Sequence, residues 1–127
     1  MASPPSAGQR QWTASSWRSL VYPEVVQAPH SPGVVILGDA HREPLLVTCG
    51  IVHQEVWRLF NDARCAERGA AFYRFVETRD DAAAKRLGEI VLRSLRHAHG
   101  DGIAWKDFPA PPSFASSPDA AQDLRMW

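Results

Sequence analysis

What this chain has little of narrows its class first. Two cysteines, Cys49 and Cys65, stand among 127 residues. They form no CxxC pair, and two are too few for a disulfide-stapled secreted scaffold. Neither sign of charge is in excess, since 14 Lys and Arg balance 14 Asp and Glu. That balance speaks against a general nucleic-acid binder, whose affinity comes largely from surplus cations facing phosphate. It speaks equally against a polybasic membrane anchor. No apolar run approaches the length of a membrane span, so membrane insertion is not expected. The opening Met1-Ala2-Ser3-Pro4-Pro5 leads into a polar stretch without an apolar h-region, so no signal peptide is read. The expectation is a cytoplasmic protein with reduced thiols.

What is present suffices for one domain. Hydrophobic residues make up 45% of the chain, enough apolar material for a core at this length. The chain divides in three. Residues 1–31 begin with Ser, Pro, Ala, Gly and Gln and should not fold alone. Yet Trp12, Trp17, Leu20, Val21, Tyr22, Val25 and Val26 lie within them. Such groups are costly to leave in water, at roughly 25 cal/mol per Å² of apolar surface. They pack either on their own core or on another chain.

Residues 32–102 carry the periodic patterns. Gly33 to Gly38 is a short β-branched run that reads as a buried strand, and Leu45 to Cys49 reads as its hairpin partner. From Val52 to Cys65 the apolar residues Val52, Val56, Leu59, Phe60 and Ala63 fall at helical spacing. Ala71 to Glu77 reads as a third strand. Thr78 is placed to cap a second helix, with Asp80 and Asp81 at its positive end and Gly100 at its close. Its stripe is Ala84, Leu87, Val91, Leu95 and Ala98. Arg93, Arg96, His97 and His99 crowd its last turns, where the dipole favours cations. In residues 103–127, Ile103, Trp105, Phe108, Phe114, Leu124 and Trp127 are separated by prolines. The expected fold is α/β (α+β): a small three-stranded, mainly antiparallel sheet, two main flanking helices and extended tails at both ends.

Strand, turn, strand, helix, strand, helix is the order of the GIY-YIG endonuclease domain. Pro32-Gly33-Val34-Val35-Ile36-Leu37-Gly38-Asp39 resembles its first motif strand, and Pro44-Leu45-Leu46-Val47-Thr48-Cys49-Gly50 resembles the second. Tyr73-Arg74-Phe75-Val76-Glu77-Thr78 and the Ala-rich helix after it are similar to the third strand and the metal-bearing helix. The resemblance covers roughly residues 32–100. It implies phosphodiester hydrolysis only where a tyrosine pair, an arginine and a metal-binding glutamate are present. Here Val35 and Leu46 stand at the tyrosine positions, and Thr48 replaces the motif glycine. The arginine position falls near Val56 or Trp57, with Arg58 adjacent, and the glutamate position on Gly88 or Glu89. A valine cannot move a proton. The resemblance therefore implies a degenerate, catalytically silent scaffold with no cofactor.

Other candidate sites read as structural. The five histidines lack the i, i+4 spacing that shares a metal, and Cys49 with His53 is the one pairing to entertain. No His or Asp is singled out as partner to a cysteine nucleophile. Arg58, Arg64 and Arg68 interleave with Glu55, Asp62 and Glu67, the pattern of a solvated mixed face. Gly88 beside the helix stripe costs about 1 kcal/mol against alanine, which a close approach of the helix to the sheet would offset.

Aromatic residues are over-used at protein interfaces. The expected function is thus a non-catalytic accessory subunit that binds a larger complex of proteins. Trp12, Trp17, Tyr22, Trp105, Phe108, Phe114 and Trp127 are its candidate anchors, together with the core surface. The alternative is a divergent nuclease or nucleic-acid-binding module that uses Arg58, Tyr73 and Glu89.

Overall fold

A computed structural model describes residues 13–108. The candidate anchors Trp12, Phe114 and Trp127 lie outside the described residues. In chain order the first elements are β1 (Arg18–Ser19), α1 (Tyr22–Val25), β2 (Pro32–Asp39) and β3 (Pro44–Ile51). They are followed by α2 (Val52–Phe60), α3 (Ala63–Glu67), β4 (Ala70–Glu77), α4 (Asp81–His99) and β5 (Ala104–Trp105). The α/β class is as the sequence implies.

β2 explains the layering. Every residue from Gly33 to Gly38 is buried, the pattern of a strand covered on both faces. Val34 and Ile36 point to one side, where they meet Val47, Val76, Val91 and Leu92 under α4. Val35 and Leu37 point to the other, against Val52, Val56, Leu59, Cys65, Tyr73 and Val25 beneath α1, α2 and α3. Alternation along a strand thus divides the core into two halves. Helices lie on both faces of the sheet.

The sheet has five strands in the order β1-β4-β2-β3-β5, not the three expected. The three readable strands form its antiparallel centre, with Val35 opposite Thr48 on one side and Phe75 on the other. The two additional strands come from residues assigned to the tails. Arg18 and Ser19 pair antiparallel with Tyr73 and Phe72, while Ala104 and Trp105 pair in parallel with Leu46 and Val47. The physical reason is the backbone of β4 and β3, whose outer N–H and C=O groups need partners. Ser15 N–H donates to the Phe75 carbonyl at 2.8 Å, Leu20 to Ala71 at 2.9 Å and Lys106 to Val47 at 2.8 Å.

Three further expectations are corrected. Residues 22–25 are a helical turn rather than extended chain, with Pro23 in the first turn, where its missing N–H is not needed. The first long helix breaks at Asn61-Asp62, because the Asp62 carboxylate accepts from Arg64 N–H at 2.9 Å and starts α3. The cap of α4 is Asp80, which accepts from Ala83 N–H at 2.8 Å, while the Thr78 hydroxyl donates to the Asp80 carbonyl. Asp81 and the basic Arg96, His97 and His99 occupy the first and last turns as read.

Candidate functional site

Of the tail aromatics within the described residues, Trp17, Trp105 and Phe108 pack on the protein's own core, while Tyr22 is exposed. Trp17 and Trp105 both join the α4 side. Each sits over a glycine. A Cβ on Gly38 would lie 2.8 Å from Trp17 Cη2, and one on Gly88 would lie 2.9 Å from Trp105 Cη2. The close approach inferred at Gly88 is therefore to a tail tryptophan, with Cys49 Cβ also near at 3.5 Å. Phe108 is buried in the opposite half of the core, and the Arg68 guanidinium stacks 4.7 Å above its ring.

A polar network holds the segment after β5 in place. The buried Thr48 hydroxyl donates to Glu55 at 2.9 Å, and Glu55 accepts from Arg58 at 2.7 Å. Arg58 also donates to Asp107 at 2.6 Å and to the Lys106 carbonyl at 3.0 Å. Burial alone would lower the pKa of Arg58, but its bonds to Glu55 and Asp107 outweigh that and raise it. Arg64 bonds Asp62 and donates to the Phe108 carbonyl at 2.9 Å. Arg58, Arg64 and Arg68 are thus engaged with carboxylates, carbonyls and an aromatic ring.

The nuclease-like residues Arg58, Tyr73 and Glu89 do not converge. Arg58 is fixed as above. Tyr73 is fully buried, its hydroxyl donates to the Glu24 carbonyl at 2.7 Å, and burial raises its pKa. Glu89 is exposed on α4, across the sheet, in a groove of about 610 Å³ that also holds Asp101, Arg93, Arg96 and His97. Both signs of charge line that groove. Burial pushes the Cys65 thiol up to about 11 and raises that of Cys49, so neither is poised as a nucleophile. Among the described residues no group of three or more His, Cys, Asp or Glu is arranged to hold a metal. No described helix is long and apolar enough to cross a membrane.

One face is different in character. Among the described residues, the exposed large hydrophobic side chains are Val21, Tyr22, Val26 and Trp57. Tyr22 is 59% exposed and Trp57 38%. The first three belong to α1 and its two flanking residues, and Trp57, on α2, meets Tyr22. The Tyr22 and Trp57 rings meet edge to face, 5.9 Å between centres. The ring array continues through His53, parallel to Trp57 at 6.5 Å, and His30, stacked on His53 at 4.1 Å.

Tyr22 was anticipated as an anchor; Trp57 was missed. The signal was present, because Trp57 follows Val56 and so falls off the buried stripe of Val52, Val56 and Leu59. The His30–His53 stack had no such signal, since it joins a loop to a helix. No protein-family model, no curated protein and no solved structure matches the chain.

Proposed function

We propose that the protein is a non-catalytic accessory subunit that assembles onto a larger protein complex. Val21, Tyr22, Val26 and Trp57 form its contact face. The observation that carries this reading is the exposed Tyr22–Trp57 ring pair, with exposed Val21 and Val26 at the two ends of α1. Ring-bearing patches of this kind mark interaction sites on otherwise polar surfaces. Trp12, Phe114 and Trp127 serve as further anchors in this reading, and the cytoplasm is its setting. The scaffold is read as a silent GIY-YIG-like domain. Two observations favour silence: the hairpin presents Val35 and Leu46 to the core, and Arg58 is tied to Glu55 and Asp107.

Affinity purification from the native cells, followed by mass spectrometry, tests the reading when wild type is compared with a Tyr22→Ala, Trp57→Ala double variant. A stoichiometric, nuclease-resistant protein partner that the variant loses supports it. Recovery of the chain alone, or with nucleic acid only, sinks it.

A further inference from the structure

A charged residue stands among apolar ones on the α4 side of the sheet. By alternation, Phe72, Arg74 and Val76 share that face of β4, and Arg74 lies in register with Ile36 of β2. The Arg74 guanidinium covers Trp17, 4.8 Å from the ring centre, and its Nε–H donates to the Ser15 carbonyl at 3.0 Å. An arginine has five N–H donors, so four of them meet no protein acceptor among the described residues. No carboxylate among the described residues pairs with Arg74. Desolvation lowers its pKa with nothing to offset it.

Arg74 opens onto a cavity of about 130 Å³. Its apolar walls include Trp17, Ile36 and Leu95, and Arg42 and His99 add two further basic groups. No carboxylate lines it. Glu43, the acid beside it in sequence, is engaged with His99 at 3.1 Å. Arg42 has no ion pair among the described residues, and its guanidinium lies 4.6 Å over the Phe72 ring. Its backbone is held at φ 64°, in the left-handed region, by a turn in which Asp39 accepts from the His41 and Glu43 N–H groups. That conformation favours glycine or asparagine, yet the turn carries a cation there.

We propose that this cavity binds a small oxyanion, a phosphate or carboxylate group, between Arg74 and Arg42. At about 130 Å³ the cavity is small, which suits one anionic head group rather than a nucleotide. Guanidinium forks match such oxygens in pairs, and apolar walls strengthen each charge-assisted bond by excluding water. This site lies across the sheet from the Tyr22–Trp57 face and does not depend on the accessory-subunit reading.

The test uses the full chain with ¹⁵N-labelled arginine, titrated with inorganic phosphate and, in parallel, with acetate at constant ionic strength. The expected result is a saturable shift of the Arg74 Nε–H resonance and a Tm that rises with the logarithm of ligand concentration. Saturation by phosphate alone assigns the site to phosphate; saturation by both assigns it to carboxylates as well. Arg42→Asn keeps a residue tolerant of positive φ and removes the cation, and it should weaken binding about tenfold or more. Shifts that never saturate overturn the proposal. So does a Tm rise equal in wild type and Arg42→Asn, which is the general effect of an excluded salt.

Discussion

Trp105 fills the space that any side chain on Gly88 would need. A Cβ at position 88 would lie 2.9 Å from Trp105 Cη2 and 3.2 Å from Cζ3. The backbone that carries the indole is held by the parallel pairing of β5 with β3, so the ring can give way only by turning about its own side-chain bonds. A helix residue and a residue beyond that helix therefore specify each other.

Gly88→Ala should accordingly destabilise the protein by about 1–3 kcal/mol, the usual range for overpacking. Helix propensity alone predicts the opposite sign, a gain of about 1 kcal/mol. Urea unfolding decides between them. In a double-mutant cycle with Trp105→Ala, the alanine at 88 should regain most of its loss.

Phe108 and the exposed ring pair separate structural aromatics from surface ones. Phe108→Ala should cost about 3–5 kcal/mol, as for other buried phenylalanines. Tyr22→Ala and Trp57→Ala should each stay within about 1 kcal/mol of wild type. Denaturation midpoints of the three variants are the measurement, and equal losses would contradict the packing. A chain ending at residue 102 should fail to fold stably, because it lacks β5 and Phe108.

Glu55 accepts from both Thr48 and Arg58 through the same oxygen, Oε1. Glu55→Ala leaves a buried hydroxyl without its acceptor, at about 1–3 kcal/mol. Glu55→Gln keeps an acceptor oxygen and should recover much of that loss. The Arg58–Asp107 bond lies in solvent, so Asp107→Asn should cost no more than about 1 kcal/mol. Thermal or urea unfolding of the three variants ranks them, and a reversed order would refute the network.

Cys65 gives a pH signature. Its thiol ionises near 9.0 in an ordinary setting and near 11 when folded. Between those values the folded state keeps a proton that the unfolded chain has released. The stability contribution is complete below about pH 9 and is lost as pH rises through about 11. Urea midpoints across that window should fall more steeply for wild type than for Cys65→Ala; parallel curves would rule the effect out.

Much of the centre of the fold was legible. β2, β3 and β4 contain the runs Gly33–Gly38, Leu45–Cys49 and Ala71–Glu77. α4 buries Ala84 and Val91 of its stripe with Leu87 and Leu95 half-buried, while Ala98 is exposed and Leu92 is buried instead. Burial of apolar faces is local in sequence there, so periodicity reports it. β1 and β5 are two residues each, too short for alternation to be visible. Their place is set by the open edges of β4 and β3, which are distant in sequence. The break between α2 and α3 depends on the Asp62 side chain turning back on its own backbone, against an apolar pattern that runs on to Cys65. In the candidate sites, Tyr22 and Trp57 were readable one by one, but their contact is tertiary. Arg74 carried a faint signal, a charge at a strand position whose neighbours two residues away are Phe72 and Val76.

The closing of both sheet edges by segments far apart in the chain has a consequence during synthesis. β1 is made before the strand it covers, so the β4 edge meets its partner as soon as it emerges. β3 is made long before β5, and α2, α3, β4 and α4 must all leave the ribosome first. Through that interval the Leu46–Val47 edge is bare, and a nascent chain with an open apolar strand is exposed to pairing with its neighbours. That exposure belongs to synthesis and ends at Leu46 and Val47 when β5 pairs with them.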